Sequence, residues 1–251
     1  MANIIEVSDK LKSLIDEKGD IKAQYTVALT KTREITMENG EFTLFRTLFD
    51  NAVSIKIIKD GRVGTTSLNK FEDKSLSDAL ENVIKSSEAG TADENFDIAP
   101  KMDAAEFTIG AVEPDIDKLM QRAEELSEDI KSRHPKVLVM QIILKHVDVH
   151  SIYRNTNASQ DEKFSGRYEV MVEFAGNDGE NSTGLASTYV MIDNLDKPFI
   201  ELGNIEKDLK DAEDSINPIS VDGKFDGEVI FTPNCAMQMI YYALSNFVGE
   251  S

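Results

Sequence analysis

The first part of the chain changes from a helical to a strand-like pattern of apolar positions. Residues 4–15 carry apolar side chains three or four positions apart, which predicts an amphipathic helix. From residue 25 onward apolar and polar residues alternate, as in a half-buried strand. Asn39-Gly40 and Asp60-Gly61 interrupt this alternation, and both dipeptides favour the positive φ angles of tight hairpin turns. The sequence therefore predicts a helix followed by antiparallel strands.

The rest of the chain carries the same two patterns in a mixed order. Helical spacing predicts helices at residues 75–90, 114–130, 205–215 and from residue 233 onward. Alternation predicts strands at residues 137–149, 168–175, 185–192 and 229–231. In the last helix the apolar stripe expected to face inward consists of Met237, Ile240, Leu244 and Val248. Residues 91–113 are polar and have no sustained period, so an irregular connection is expected there.

The order of these elements predicts an α+β fold with largely antiparallel sheets and covering helices. Strands and helices do not alternate regularly, and most turns are tight hairpins, so a doubly wound parallel sheet is disfavoured. We predict an N-terminal helix at residues 1–24 and an α+β domain at residues 25–200. Residues 201–251 are predicted to hold a linking helix, a short strand and the start of a further region.

Composition and charge narrow the possible functions. Hydrophobic residues make up 41% of the 251 positions and charged residues 29%, which is typical of a globular protein. The formal net charge of -19 repels a phosphate backbone, so no direct binding to nucleic acid is expected. The first residues resemble no secretory signal, and no apolar run is long enough to cross a bilayer. A cytoplasmic location without membrane contact is therefore expected.

Few residues suggest chemistry on their own. The single cysteine, Cys235, excludes an intramolecular disulfide and a multi-cysteine zinc site, and we interpret it as a packing residue in the first turn of the last helix. His134 is expected to be exposed at a helix end, where the helix dipole favours its charged form. Acidic pairs such as Glu124-Glu125 are plentiful because the chain is acidic, so they do not indicate a catalytic dyad. Nucleotide-binding glycine loops and the G-x-S-x-G motif are absent from the sequence.

His146, Asp148 and His150 form the one candidate metal site. They are spaced two apart on a predicted strand, so all three side chains are expected on one face. Two imidazoles and a carboxylate are a plausible ligand set for zinc or iron. The same spacing also fits an ordinary half-buried strand. A freestanding metal-dependent hydrolase using these three residues therefore stays an alternative.

Several motifs occur in an order that is typical of one known family. Asp60-Gly61-Arg62-Val63-Gly64 ends a hairpin at residues 51–67, and Lys56 precedes it. A helix at residues 113–130, a turn at residues 155–157 and the segment at residues 227–233 follow. This arrangement resembles the TldD/PmbA family, whose members are also called modulators of DNA gyrase. The family often has arginine where this chain has Lys56.

The resemblance implies a zinc-binding helix that this chain has altered. The catalytic branch of the family carries His-Glu-x-x-x-His on the helix after residues 227–233, and the aligned positions here are Tyr241, Tyr242 and Asn246. A phenol and an amide are poor replacements for imidazole ligands. No histidine follows His150, so a small error in the alignment would not restore the motif. No catalytic residue, metal or other cofactor is therefore expected in this chain.

The resemblance also implies a function and partners. It matches the PmbA (TldE-like) branch, whose members lack the motif and pair with a TldD-type catalytic subunit that holds the zinc. We therefore expect a non-catalytic partner of a heteromeric metalloprotease that processes unfolded or modified peptides, or a homodimer. A protein-binding modulator of DNA gyrase is a further alternative. Family members continue for about as long again beyond the position of Ser251, so a fragment or a shortened homologue is expected.

Overall fold

A computed structural model describes residues 3–220, 223–224 and 226–247 of the chain. The chain divides into two compact units, Met1–Asn217 and Pro218–Ser251. Val248, which was predicted to face inward, lies outside the described residues. In the part that the structure describes, no helix is both long enough and apolar enough to span a membrane.

The first unit contains four helices, seven strands and one short 3-10 turn. In chain order these are α1 (Ile4–Asp16), β1 (Lys22–Glu38), β2 (Glu41–Lys59), β3 (Arg62–Leu68), α2 (Asp73–Ser87), β4 (Ala105–Gly110), α3 (Ile116–Arg133), β5 (Val137–Asn155), β6 (Gln160–Gly176), β7 (Ala186–Ile192), the 3-10 turn (Phe199–Glu201) and α4 (Ile205–Asp214). The second unit contains α5 (Pro233–Ser245). All counts refer to the described residues.

The strands form a seven-stranded sheet in the order β3-β2-β1-β5-β6, and β4 and β7 both pair with β6. Every pairing is antiparallel except that of β4 with β6. Both predicted hairpin turns are confirmed: φ is 53° at Asn39 and 82° at Gly40, and 51° at Asp60 and 70° at Gly61. The prediction of an α+β fold with a largely antiparallel sheet is confirmed.

All four helices of the first unit pack on the same face of the sheet. Val27 pairs with Val53 and Ile152 under α1 and α2, and Ile35 pairs with Leu144 under α3 and α4. Because Val27 and Ile35 are an even number of residues apart on β1, their side chains point to one face. The buried apolar residues therefore form two clusters on this face, one at each end of the long central strands.

The structure corrects three predictions about the elements of the first unit. Residues 105–110 form β4, although an irregular connection was expected at residues 91–113. The hairpin placed at residues 51–67 begins within a longer strand, since β2 runs unbroken from Glu41 to Lys59. α2 begins at Asp73 rather than at residue 75. β4 was missed because it pairs with a strand that is distant in sequence and its side chains are mostly exposed.

The domain boundaries also differ from the prediction. α1 was predicted as a segment of its own, but its apolar face packs into the cluster that α2 covers. α4 was assigned to the C-terminal segment, but its residues Ile205, Leu209 and Ala212 are buried in the cluster beneath α3. The boundary between the compact units therefore falls after Asn217 rather than after residue 200.

In the second unit the helix was predicted correctly and its packing was not. Pro233 begins α5 after Thr232, as expected. Among the described residues, no strand pairs with residues 229–231, so the predicted short strand is absent. Met237, Ile240 and Leu244 were predicted to face inward but are 69%, 51% and 56% exposed.

Candidate functional site

The last helix carries the positions that the family resemblance singled out. Thr232 precedes α5 in an extended conformation, and Asn246 follows it with a backbone that is still helical. Tyr241 and Tyr242 are 77% and 73% exposed, and the Asn246 amide donates a hydrogen bond to the Tyr242 carbonyl oxygen at 2.6 Å. Two phenols and an amide that serves its own helix do not fit a zinc site, which is built from imidazole, thiolate or carboxylate.

Cys235 lies in the first turn of the same helix. Its thiol donates to the Thr232 carbonyl oxygen at 3.4 Å, so it contributes to the hydrogen bonding of the helix N-terminus. No histidine follows His150 in the sequence, so none lies in the second unit to activate this thiol. The arrangement therefore does not favour a cysteine nucleophile.

His146 is fully buried on β5 and its two ring nitrogens are both engaged. Nε2 lies 2.6 Å from the Ala111 carbonyl oxygen, and Nδ1 lies 3.2 Å from Nη1 of Arg33. A carbonyl oxygen can only accept and a guanidinium can only donate, so Nε2 carries the proton and the ring is neutral. Burial lowers the pKa of His146, and the charge of Arg33 lowers it further. This histidine has no free nitrogen for a metal.

Asp148 and His150 also have partners of their own. Asp148 forms a 2.6 Å ion pair with Arg33, and Nε2 of His150 lies 2.6 Å from Oε1 of Glu162. The His150 ring stacks on Phe164 with 4.2 Å between centroids. Throughout the described part of the chain, no three His, Cys, Asp or Glu side chains are grouped so that they could hold a metal ion. The three predicted residues share a strand face but do not form a common ligand set.

Together these pairs form a polar belt on the helix face of the sheet. We define the belt as Lys31, Arg33, Asp148, His150 and Glu162, and it separates the two apolar clusters. The side chains of Arg33, Asp148, His150 and Glu162 are 23%, 26%, 28% and 27% exposed. Within the belt Arg33 is paired with Asp148 and His150 with Glu162, so these four side chains already have polar partners.

Sequence reasoning missed Arg33 and Glu162. Arg33 is 113 residues from His146 in the chain, and no local signal indicates that β1 lies beside β5. Glu162 follows a turn at residues 155–159 that was recognised only as part of the family resemblance. The alternation on β5 predicted the shared face, but only the pairing of strands shows which side chains meet there.

His146 has a structural role in the connection from β4 to α3. Its Nε2 donates to the Ala111 carbonyl oxygen, and the Tyr168 hydroxyl accepts a hydrogen bond from the Asp115 amide at 2.8 Å. The chain passes so close to β6 that a Cβ on Gly166 would lie 1.8 Å from the Ala111 carbonyl oxygen. The buried imidazole therefore helps to fix the segment that starts α3.

His134 does not lie where the sequence suggested. It is only 6% exposed at the end of α3, and its Nδ1 lies 3.1 Å from Oε2 of Glu213. The other oxygen of Glu213 accepts from the Lys136 amide at 3.0 Å. The expectation of an exposed histidine was wrong because α4 packs across this helix end.

Comparison with known proteins places the chain among relatives of known fold. Residues 29–89 match the family model described as PmbA/TldA metallopeptidase domain 1. No curated protein sequence matches the chain. Three solved structures share its fold: TldE from Thermococcus kodakarensis, and two proteins named as putative modulators of DNA gyrase, from Thermotoga maritima and Bacteroides thetaiotaomicron.

The three structural matches are similar in extent. The T. kodakarensis structure is 15% identical with a TM-score of 0.60, and the match covers 84% of this chain and 47% of that one. The T. maritima structure is 17% identical with a TM-score of 0.55, covering 85% and 48%. The B. thetaiotaomicron structure is 14% identical with a TM-score of 0.56, covering 84% and 48%. The chain therefore spans about half the length of these proteins. The chain is therefore similar to the first domain of PmbA/TldA metallopeptidases over residues 29–89, and it shares its fold with these three structures over most of its length.

Proposed function

We propose that this chain acts as a non-catalytic, PmbA/TldE-like partner of a TldD-like metallopeptidase that processes unfolded or modified peptides. The observation that carries the proposal is the presence of Tyr241, Tyr242 and Asn246 where the catalytic branch has its His-Glu-x-x-x-His motif. In this proposal zinc and the catalytic glutamate belong to the partner subunit. The chain contributes to positioning the peptide or to supporting the partner.

The histidines of the first unit support the same proposal. His134 is buried and hydrogen-bonded to Glu213. His146 is buried between Ala111 and Arg33, and His150 is hydrogen-bonded to Glu162. The sequence contains three histidines in total. Replacing the missing zinc ligands would therefore require these histidines to leave their present partners.

The test is a peptidase assay with zinc and an unfolded protein substrate. We expect no chelator-sensitive cleavage by this chain alone, and cleavage when a TldD-like protein from the same source is added. The matched control replaces the glutamate of the partner's motif with glutamine, which should abolish cleavage while leaving binding to this chain intact. Chelator-sensitive cleavage by this chain without the partner would contradict the proposal.

Modulation of DNA gyrase is a second candidate, because two of the solved structures with this fold are named for it. The net charge of -19 favours contact with protein rather than with DNA in such a role. Purified chain on a solid support should then retain gyrase at physiological salt. Failure to retain gyrase would remove this candidate.

A further inference from the structure

In the part of the chain that the structure describes, the outer edge of β2 is unpaired over most of its length. β3 pairs with β2 only from Val53 to Lys59. Within the described residues no strand pairs with the outer side of residues 41–52, and residues 43–50 are all exposed. A free strand edge presents backbone N–H and C=O groups that another strand can pair with.

The register of the neighbouring hairpin shows which residues present these groups. Lys59 and Arg62 flank the two-residue turn, so they exchange both hydrogen bonds, and every second residue back along β2 repeats this orientation. Continued beyond the end of β3, the same alternation directs the backbone groups of Phe45, Thr47 and Phe49 outward. These residues are therefore ready to pair with an incoming strand.

This edge carries four exposed large apolar side chains among its charged residues. Leu44, Phe45, Leu48 and Phe49 are 37%, 57%, 41% and 44% exposed. Natural edge strands are commonly protected by lysine, proline or a covering element. Residues 41–52 contain neither lysine nor proline.

The charges on this edge are complementary to those of a second copy. Arg46 lies 2.7 Å from Glu34, which is also 3.4 Å from Lys145, so two positive charges share one carboxylate. Asp50 lies on the same strand and on the same face as Arg46, and it makes no ion pair in the described part of the chain. An edge that offers both a surplus positive charge and an unpaired carboxylate can satisfy both by pairing with itself.

We propose that two copies of this chain associate through antiparallel pairing of their β2 edges, with Leu48 on the two-fold axis. In this register Leu48 faces Leu48 of the second copy. Arg46 of each copy faces Asp50 of the other, so the pair occurs twice. Phe49 and Thr47 face each other, and their outward backbone groups pair. The result joins the two sheets through roughly eight main-chain hydrogen bonds. This interface is independent of the proposed peptidase-partner function.

The oligomeric state of the full chain tests the interface. Sedimentation velocity over a range of concentrations should show a monomer–dimer equilibrium. Leu48→Lys should weaken the dimer at least about tenfold, because it places two lysines face to face on the axis. Leu138→Lys is the matched control, since Leu138 is 50% exposed on β5, away from this edge, and should leave the dimer unchanged. A monomer at all concentrations, or a dimer that Leu48→Lys does not weaken, overturns the proposal.

Cysteine cross-linking tests the register. In a Cys235→Ser background, Leu48→Cys should form a disulfide-linked dimer under mild oxidation, because the two residues meet on the axis. Thr47→Cys should not, because in this register the two copies of residue 47 are too far apart for a disulfide. Cross-linking through residue 47 and not through residue 48 would overturn the register, and cross-linking through neither would overturn the interface. Circular dichroism of each variant confirms that it is folded.

Discussion

At the scale of single residues, His146 shows that a histidine on a regular strand face can be a structural hydrogen-bonding group. One nitrogen donates to the Ala111 carbonyl and the other accepts from Arg33. The bond from Arg33 requires the neutral ring, and burial also favours that form by lowering the pKa of His146. Its protonation is therefore coupled to the stability of the fold.

This coupling predicts a specific pH dependence. The pKa of His146 is lower in the folded protein than its ordinary value of about 6.5, so the unfolded chain takes up the proton first as the pH falls. The stabilisation is complete above about pH 6.5 and decreases below it, down to the folded-state pKa. His146→Gln keeps a donor and an acceptor but does not titrate. It should lower the free energy of unfolding by about 1–3 kcal/mol at neutral pH.

Urea unfolding between about pH 7 and pH 5 measures the effect. The free energy of unfolding should decrease less steeply with falling pH in His146→Gln than in the unmodified chain. His150→Gln removes an imidazole from the same strand face and serves as the comparison. An unchanged slope in His146→Gln would show that this residue does not contribute to the pH dependence.

At the scale of elements, the sequence predicted the turns that depend on neighbouring residues but not the strand that depends on distant pairing. The Asn39-Gly40 and Asp60-Gly61 turns were predictable because their backbone angles depend on the residues themselves. β4 was not, because its six residues form a strand only by pairing in parallel with β6. The same limit applies to the candidate site. The shared face of His146 and its neighbours was predictable, but the partner Arg33 depends on which strands lie side by side.

The close contact between β6 and the segment after β4 gives a prediction for this element. Gly166→Ala would place a Cβ 1.8 Å from the Ala111 carbonyl oxygen. Because this oxygen belongs to the backbone, the clash can be relieved only by a shift of the main chain. We expect the free energy of unfolding to fall by at least about 1–3 kcal/mol. Gly184→Ala is the matched control, since a Cβ there would meet nothing within 4 Å. Urea unfolding measures the free energy of unfolding of both variants. If Gly166→Ala were as stable as Gly184→Ala, the described path of this segment would be contradicted.

At the scale of the whole molecule, the two units differ in how their apolar residues are used. In the described residues every buried hydrophobic side chain precedes Asn217, and the last of them is Ile216. In α5, by contrast, the apolar side chains of Met237, Ile240 and Leu244 are more than half exposed. The stability of the first unit therefore depends on residues that it contains itself.

This difference predicts the effect of shortening the chain. A chain that ends at Asn217 should have the same free energy of unfolding as the longer chain to within about 1 kcal/mol, because both apolar clusters remain complete. It should also bind less of a hydrophobic dye, because the exposed apolar side chains of α5 are gone. A chain that ends at Asn204 is the control. It lacks Ile205 and Leu209 of the buried cluster and should lose several kcal/mol, since truncating one such side chain costs about 2–5 kcal/mol. If ending at Asn217 destabilised the protein as much as ending at Asn204, the first unit would not be independent, and its cores would depend on residues beyond it.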